Sequence, residues 1–531
     1  MSAPAARTEA PPATTADAPA RRLREFAPAL AACVVLICAI ASITPDPIGV
    51  FWDDGVYLLS AKALVAGDGY RLAYLPGMPP AIHYPPLFPL LLAALLKVTP
   101  AFPANVAVLK LVNPICLAIG VFGAATLAAR CTGAPRGAAA ISVAISAVIA
   151  PVLVLTNVLL SESLFFAALM GALWLVEETA ERGGSRRAIL AGLAIAAVVL
   201  VRTVGGVLLP AAFAVLWWRH RRREAALLAV GAIIVLAPYQ WWVWQAARTF
   251  PDELRGSYGP YLEWVIGGYR HDPSLAWQVL SKNAADLWRA FGIVFAPRLP
   301  RVVQWTAAGL SLATLALGTV ALLRRANALG AFVLLYGVVV LLWPYNPERF
   351  VWAVWPLVAL LLLAAVRDVR QHLSTRWRYA PRVATTVVVV LLAGQAAYAV
   401  RGLASGWAGA PQHAMTDRLW PLVQWTVTHA GPGDLVASDA HVMIALYTGR
   451  TTMPVSILTP AEHVRDKSTA QYARELDALA ARYHPRLIVL SRDTPEIDAV
   501  TMWAAGATSV RVTPLPAFSG GGAAFAVRAL P

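Results

Sequence analysis

The sequence predicts an all-α polytopic membrane protein of about eleven transmembrane helices, with a small extracytoplasmic α/β domain at its C-terminal end. Three observations carry this. Hydrophobic residues fill 58% of the 531 positions and charged residues 14%. A soluble chain carries roughly 25% charged residues, so too few are present here to clothe a water-facing surface of this size. Apolar stretches of spanning length recur, at 26–43, 106–129, 225–244, 302–323 and 383–400; about 20 such residues cross the hydrocarbon. Tryptophans gather near the ends of such stretches, as at Trp217 and Trp218, Trp241 and Trp242, and Trp352 and Trp355, where an interfacial belt lies.

The net charge of +15 comes mostly from short basic clusters beside the apolar stretches. That is topological information rather than a nucleic-acid-binding stripe, so no nucleic-acid partner is expected. Cys33, Cys38, Cys116 and Cys131 lie in or beside apolar stretches. They read as small hydrophobes, not as a disulfide or metal motif.

Residues 1–20 are rich in Ala, Pro and Thr and are expected to be disordered and cytoplasmic. Arg21, Arg22 and Arg24 precede the first span, which reads as an uncleaved anchor because many spans follow. The chain then emerges outside. The stretch 85–98 is short for a span, and counting it as one would turn every later basic cluster outward. It is placed as an interfacial or re-entrant helix within the outer loop 44–105. The stretch 188–218 is flanked by basic clusters at both ends and holds Arg202, Gly205 and Gly206 centrally. A hairpin bent near Arg202 keeps both clusters inside. The stretch 137–176, with Pro151, Asn157, Ser161 and Glu162 at its middle, reads the same way. The resulting spans are 26–43, 106–129, 137–157, 162–178, 187–201, 203–218, 225–246, 302–323, 327–343, 350–366 and 383–400, with the N-terminus inside. The loop 247–301 lies outside and carries an amphipathic helix over 275–291. Beyond residue 400 the pattern changes. Residues 435–438 and 486–490 read as short buried strands, 471–482 as a helix, and Gly431, Gly433 and Gly449 as turns. The chain thus divides into a tail 1–20, a membrane domain 21–400 and an outer α/β domain 401–531.

This threading gathers the unusual polar residues on one side. Asp53, Asp54, Lys62, Asp68, Arg71, His83 and Tyr84 lie in the first outer loop. Glu162, Arg202, Glu348 and Arg349 lie at three further outer tips. Ionisable residues near membrane depth default to functional roles. The rival reading, interfacial anchoring and loop solubility, weighs heaviest on Lys62, Asp68 and Arg71. A carboxylate can serve as general base to a hydroxyl nucleophile. Arginine offers a bidentate fork to phosphate. Together they suit transfer of a group from a lipid-phosphate carrier whose tail stays in the bilayer.

The run Phe51-Trp52-Asp53-Asp54-Gly55-Val56-Tyr57, followed by Ala61-Lys62-Ala63-Leu64, Gly67-Asp68-Gly69-Tyr70 and His83-Tyr84-Pro85-Pro86-Leu87, resembles the first extracytoplasmic loop of the GT-C superfamily. That superfamily contains the protein O-mannosyltransferases and the lipid A aminoarabinose transferases. Ser161-Glu162-Ser163-Leu164-Phe165 resembles its second acidic motif, and Glu348-Arg349-Phe350 with Pro356 its late arginine motif. The resemblance implies an inverting glycosyltransferase that uses a polyprenyl-phosphate sugar donor and a lipid, glycan or protein acceptor. It implies Asp53 as general base and Asp54 as its neighbour, orienting a substrate or binding metal. Arg202 and Arg349 would hold the donor phosphate and Glu162 would support acceptor or metal. Tyr57, His83, Tyr84 and Glu348 would complete the substrate pocket. A divalent metal, magnesium or manganese, would fall to Asp54 and Glu162. Asp54 stands where many members have glutamate, which leaves metal use open. The sequence carries no Gly-rich phosphate loop, which disfavours a nucleotide-sugar donor. The Ala, Arg and Pro usage suggests a GC-rich bacterium and hence the inner membrane. Three other classes are weighed. A multi-pass transporter would place charges at the midplane of repeated halves. A polysaccharide polymerase or ligase would carry a large late outer loop. A membrane sensor would display the C-terminal domain without catalysis.

Overall fold

The computed structural model describes residues 17–507, 510–516 and 520–530, with side chains from residue 25 onward. Most of the tail expected to be disordered, residues 1–16, lies outside the described residues. Residues 17–20 correct that expectation, since they open the first helix, Asp17–Ala41.

Among the described residues, five helices are long and apolar enough to cross a membrane: Val106–Thr132, Glu162–Arg182, Arg222–Ala247, Arg301–Arg324 and Ala380–Ala404. Two bent pairs raise the number to seven when each is counted as one span. Arg136–Ala147 with Ala150–Asn157 turns by 66°, and Pro347–Ala353 with Leu357–His372 by 73°. Proline stands beside each bend. Pro151 is in the first turn of its helix and Pro356 precedes Leu357, positions where the missing amide costs no helical hydrogen bond. The remaining expected spans coincide with shorter helices: Glu25–Ala41, Thr203–Trp218 and Ala328–Leu342, and Ser185–Val201. The expected break at Arg202 is an extended residue followed by a 3-10 turn, Thr203–Val207. The two arms of the stretch 137–176 both pack against the helix Val112–Thr132.

The basic clusters of the sequence meet in space. Arg130 pairs with Glu178 at 2.6 Å and with Glu181. Arg219 donates to the carbonyls of Ala326 and Arg325 at 2.9 and 3.0 Å. Glu177 accepts the amide of Ala328 at 2.6 Å, and Arg367 donates to the Cys131 carbonyl at 2.6 Å. Arg219, Glu177 and Arg367 thereby satisfy helix ends that would otherwise be left unpaired. Glu162 and Glu178 stand on the same helix about 24 Å apart at 1.5 Å per residue. The basic ends and the Asp53 constellation therefore occupy opposite ends of the bundle.

The C-terminal part holds a five-stranded sheet in the order β2-β1-β3-β5-β4. Its strands are β1 (Val436–Ser438), β2 (Thr452–Met453), β3 (Leu487–Leu490), β4 (Val510–Pro514) and β5 (Ala523–Ala529). β1 lies parallel to β2 and β3, with Val436 opposite Leu487, and β5 runs antiparallel to β3 and β4. The helix His441–Thr448 between β1 and β2 packs on the helix Asp53–Ala66. The fit is close: a Cβ on Gly55 would come within 2.5 Å of Val442 Cγ1, so only glycine allows the approach. Leu87–Val98 also packs against Asp53–Ala66.

One buried cation ties the start of the first loop down. Lys110 is 1% exposed. Its ammonium donates to the carbonyls of Thr44 and Asp46, each at 2.8 Å, and to Gln412 Oε1 at 3.3 Å. Lys110→Met keeps the stem and deletes these donors, leaving buried acceptors unpaired. The variant is expected to be destabilised by about 2–3 kcal/mol, read as a lower thermal midpoint in detergent.

Candidate active site

Asp53 opens the helix Asp53–Ala66, and the residue before it is strained. Trp52 has φ 63° and ψ −68°, and the Asp53 amide donates to the Phe51 carbonyl at 2.7 Å. This is a γ-turn of the rarer positive-φ form. Such a conformation costs about 1–3 kcal/mol and persists only where its surroundings over-determine it. Asp54 supplies part of that determination. Its carboxylate is fully buried and accepts the amides of Gly49 at 2.6 Å and Phe51 at 3.0 Å. Gly49 sits at φ +97°, where a side chain is disfavoured. Burial lifts the Asp54 carboxyl to about 6 against the pull of those amides.

The geometry therefore separates the two aspartates. Asp53 faces a cavity of about 260 Å³, whose lining does not include Asp54. Asp54 is expected from the sequence as a catalytic or metal-binding partner; its two oxygens each accept a backbone amide of the turn, beside the cavity rather than on its wall.

Asp53, Tyr84, Arg202 and Arg349 line the cavity, and Glu162, which is not part of its lining, pairs with both arginines. Asp53 Oδ1 accepts the Tyr84 hydroxyl at 2.5 Å. Asp53 Oδ2 accepts Arg349 Nη1 at 2.6 Å. Arg349 comes from the short helix Pro347–Ala353, which Asn346 caps by accepting the Glu348 amide at 3.1 Å. Its Nε donates to Glu162 Oε1 at 2.5 Å, and the same oxygen takes Arg202 Nη1 at 2.8 Å. Arg202 also donates to Ser161 Oγ at 3.2 Å and lies 5.3 Å from the Phe350 ring centroid. Tyr57 reaches Ser161 Oγ at 3.1 Å. Among the described residues, Arg349 Nη2 and Glu162 Oε2 are buried without a hydrogen-bond partner. Burial raises the Asp53 carboxyl, but the Arg349 charge and the Tyr84 and Arg349 hydrogen bonds outweigh it and hold it below the ordinary value. Asp53 is ionised at neutral pH.

His83 lines the same cavity. Its Nδ1 contacts the Gly259 carbonyl at 2.7 Å, which fixes that nitrogen as the donor. Its ring lies on Tyr261 with centroids 3.8 Å apart. Burial pushes its pKa down to about 4, so it is a neutral wall at pH 7. Glu348 lies outside this cavity. It lines a neighbouring recess with Lys282, Asp286 and His463. Lys62 sits 3.9 Å over the Phe102 ring, and Asp68 and Arg71 are exposed. The cavity also takes Ser456, Leu458 and Glu462 from the C-terminal part, and Ser257, Tyr261 and Trp264 from the loop 247–301. No local motif marked these residues. Only the tertiary fold brings them in.

A divalent metal does not fit this donor set. Glu162 and Asp53 both face guanidinium, and Asp54 faces amides. Among the described residues, no group of three or more His, Cys, Asp or Glu is placed to hold one.

The bundle, its bent helices and the sheet-bearing part that packs on the first loop make up a fold found in solved membrane proteins. It is shared with ArnT from Cupriavidus metallidurans bound to undecaprenyl phosphate, at 15% identity and a TM-score of 0.50 over 94% of this chain and 97% of that one. The apo form of the same protein gives 14% and 0.52 over the same shares. The oligosaccharyltransferase from Archaeoglobus fulgidus, in complex with zinc and sulfate, gives 14% and 0.54 over 92% of this chain and 73% of that one. At these identities the likeness is one of fold. No family model matches the chain, and comparison with curated proteins finds no match.

His83 yields a pH prediction. The free imidazole titrates near 6.5 and the folded one at about 4. The folded state takes the proton less readily, so His83 contributes stability that is complete above 6.5 and is lost as pH falls toward 4. Asp54, raised from 3.8 to about 6, acts in the opposite sense across that range. Comparison with His83→Gln isolates the histidine. Between about pH 7 and pH 5 the wild type should lose about 2 kcal/mol more than the variant, measured by thermal unfolding at the two pH values. Equal losses would remove the buried neutral imidazole.

Proposed function

We propose that the protein is a membrane glycosyltransferase that moves a sugar, with inversion, from a polyprenyl-phosphate donor to an acceptor hydroxyl on a lipid, glycan or protein. The observation that carries this reading is the Arg349 guanidinium, held between the Asp53 and Glu162 carboxylates on the wall of a cavity, with one buried donor left over. A lipid phosphate at headgroup level would complete it. Undecaprenyl phosphate bound to ArnT, which has this fold, supports that class of donor.

In this reading the acceptor oxygen attacks the anomeric carbon and its proton passes to Asp53. The bond from that carbon to the phosphate oxygen breaks, and the electron pair leaves with the phosphate. Arg349 and Arg202 offset the charge that develops there. Glu162 holds both guanidinium groups in place. With no donor bound, Arg349 keeps Asp53 a weak base. A phosphate oxygen competing for the same guanidinium loosens that pair, and its own negative charge further favours protonation of Asp53. The base thus gains strength when the donor arrives. Because guanidinium already fills the space between the carboxylates, the residues call for no divalent ion.

The same reading sets the topology. The N-terminus is cytoplasmic, the eleven helical stretches cross the inner membrane, and the part beyond residue 400 covers the cavity from the outer side. The gathering of basic helix ends at one end of the bundle supports that orientation.

Asp53→Asn should lower transfer per folded molecule in proteoliposomes by about 10²–10⁴-fold, with a lower thermal midpoint because Arg349 loses one of its two counter-charges. A variant that transfers sugar at the wild-type rate would refute the assignment. Independently, chelation with EDTA should leave the rate within about twofold, on the argument that guanidinium replaces the metal. A loss restored by added magnesium or manganese would overturn that point.

A further inference from the structure

The strained turn before Asp53 is gripped from the C-terminal part. The Trp52 ring lies edge-on against His441, with centroids 4.4 Å apart at 84°, and stacks on Tyr258 at 5.8 Å and 24°. His441 is fully buried. Its Nδ1 lies 3.1 Å from the Ser438 carbonyl and its Nε2 lies 2.6 Å from the Tyr258 hydroxyl. A carbonyl cannot donate, so Nδ1 carries the proton and Nε2 accepts from Tyr258. Tyr74 in turn donates to the Tyr258 oxygen at 3.1 Å. The chain from Tyr74 through Tyr258 and His441 to Ser438 is satisfied in one tautomer only. Burial keeps the imidazole neutral, with its pKa pushed down to about 3, which agrees with that tautomer. On the same helix, Tyr447 accepts the Ile48 amide at 3.0 Å, and Leu446 lies against Gly49. With Val442 against Gly55, the helix His441–Thr448 touches both ends of the segment whose middle is Trp52.

We propose that His441 is a positioning residue for Asp53: by clamping the Trp52 ring between itself and Tyr258, it holds the γ-turn that aims the Asp53 carboxylate into the cavity. The proposal rests on the glycosyltransferase reading for its kinetic arm only. His441 touches neither the cavity nor Asp53, so its effect falls on the chemical step rather than on donor capture.

The test uses the full-length protein in lipid nanodiscs, with His441→Phe, which keeps a ring beside Trp52 and loses both hydrogen bonds. Tyr258→Phe serves as a second variant, deleting one hydroxyl and keeping the stacked ring. Three quantities are read: kcat for sugar transfer, the Kd for undecaprenyl phosphate, and amide hydrogen exchange over residues 49–57. The expected result for His441→Phe is a fall in kcat of about 10²-fold, as for a reacting group displaced by about 1 Å. Its Kd should stay within about twofold and its exchange over 49–57 should be faster. Tyr258→Phe should show the same pattern with a smaller fall, about tenfold, for one hydrogen bond. Unchanged exchange over 49–57 in both variants, or a loss explained by weaker undecaprenyl phosphate binding, overturns the proposal. If the wild type transfers no sugar, the functional reading falls, while faster exchange in the variants still upholds the clamp.

Discussion

The Asp53–Arg349–Glu162–Arg202 network is the interaction on which the rest of the arrangement depends. Two carboxylates and two guanidinium groups from four separate elements meet in a largely buried space. Their formal charges cancel, which is the condition for keeping them out of water. Loss of one member would leave a neighbour buried without its counter-charge, a penalty of about 3–5 kcal/mol. The network therefore joins the first loop, the helix Glu162–Arg182, the Arg202 break and the Pro347 helix. The bends beside Pro151 and Pro356 and the extended residue at Arg202 serve this end, because uninterrupted helices would carry those side chains past one another.

A second constraint works on the backbone. Asp53 is aimed by a turn that the chain would not choose unaided. Three independent holds keep it there: the Asp54 carboxylate on the Gly49 and Phe51 amides, the Trp52 ring between Tyr258 and His441, and Tyr447 on the Ile48 amide. Two of these come wholly or partly from beyond residue 440. The sheet-bearing part is thus coupled to the site by direct contact, whatever else it covers.

Much of this was legible in the sequence, and the reasons are particular. The eleven apolar stretches coincide with helices because length and composition dominate in such segments. Asp53, Glu162, Arg202 and Arg349 stood out because charge is rare at those depths. β1 and β3 were readable as short, fully buried runs. β2 has two residues and β4 is largely exposed, so neither carries a hydrophobic signature. The division of labour between Asp53 and Asp54 was not legible. Adjacent residues at a helix start differ by about 100° in direction, and which one faces the cavity is set by the γ-turn at Trp52. Glu348 and Arg349 repeat the point, since neighbouring side chains enter different recesses. Nor could His441 be found, because its role depends on a contact between residues almost four hundred positions apart.

The proposed function raises the question of why a site should hold its base in an ion pair. A carboxylate paired with arginine at 2.6 Å is a poor proton acceptor, and general bases work best with a pKa near the working pH. The pairing is useful if the guanidinium has two calls on it. Glu162 Oε1 fixes the Nε side of Arg349 while Nη2 has no hydrogen-bond partner among the described residues, so the group can shift its outer nitrogens without losing its anchor. In the proposed reaction a phosphate entering the cavity would take those nitrogens, and the carboxylate they left would be both less stabilised and closer to a new negative charge. Both changes raise its affinity for a proton. On the proposed function the empty site would stay chemically quiet toward water, and the base would be made by the substrate that needs it.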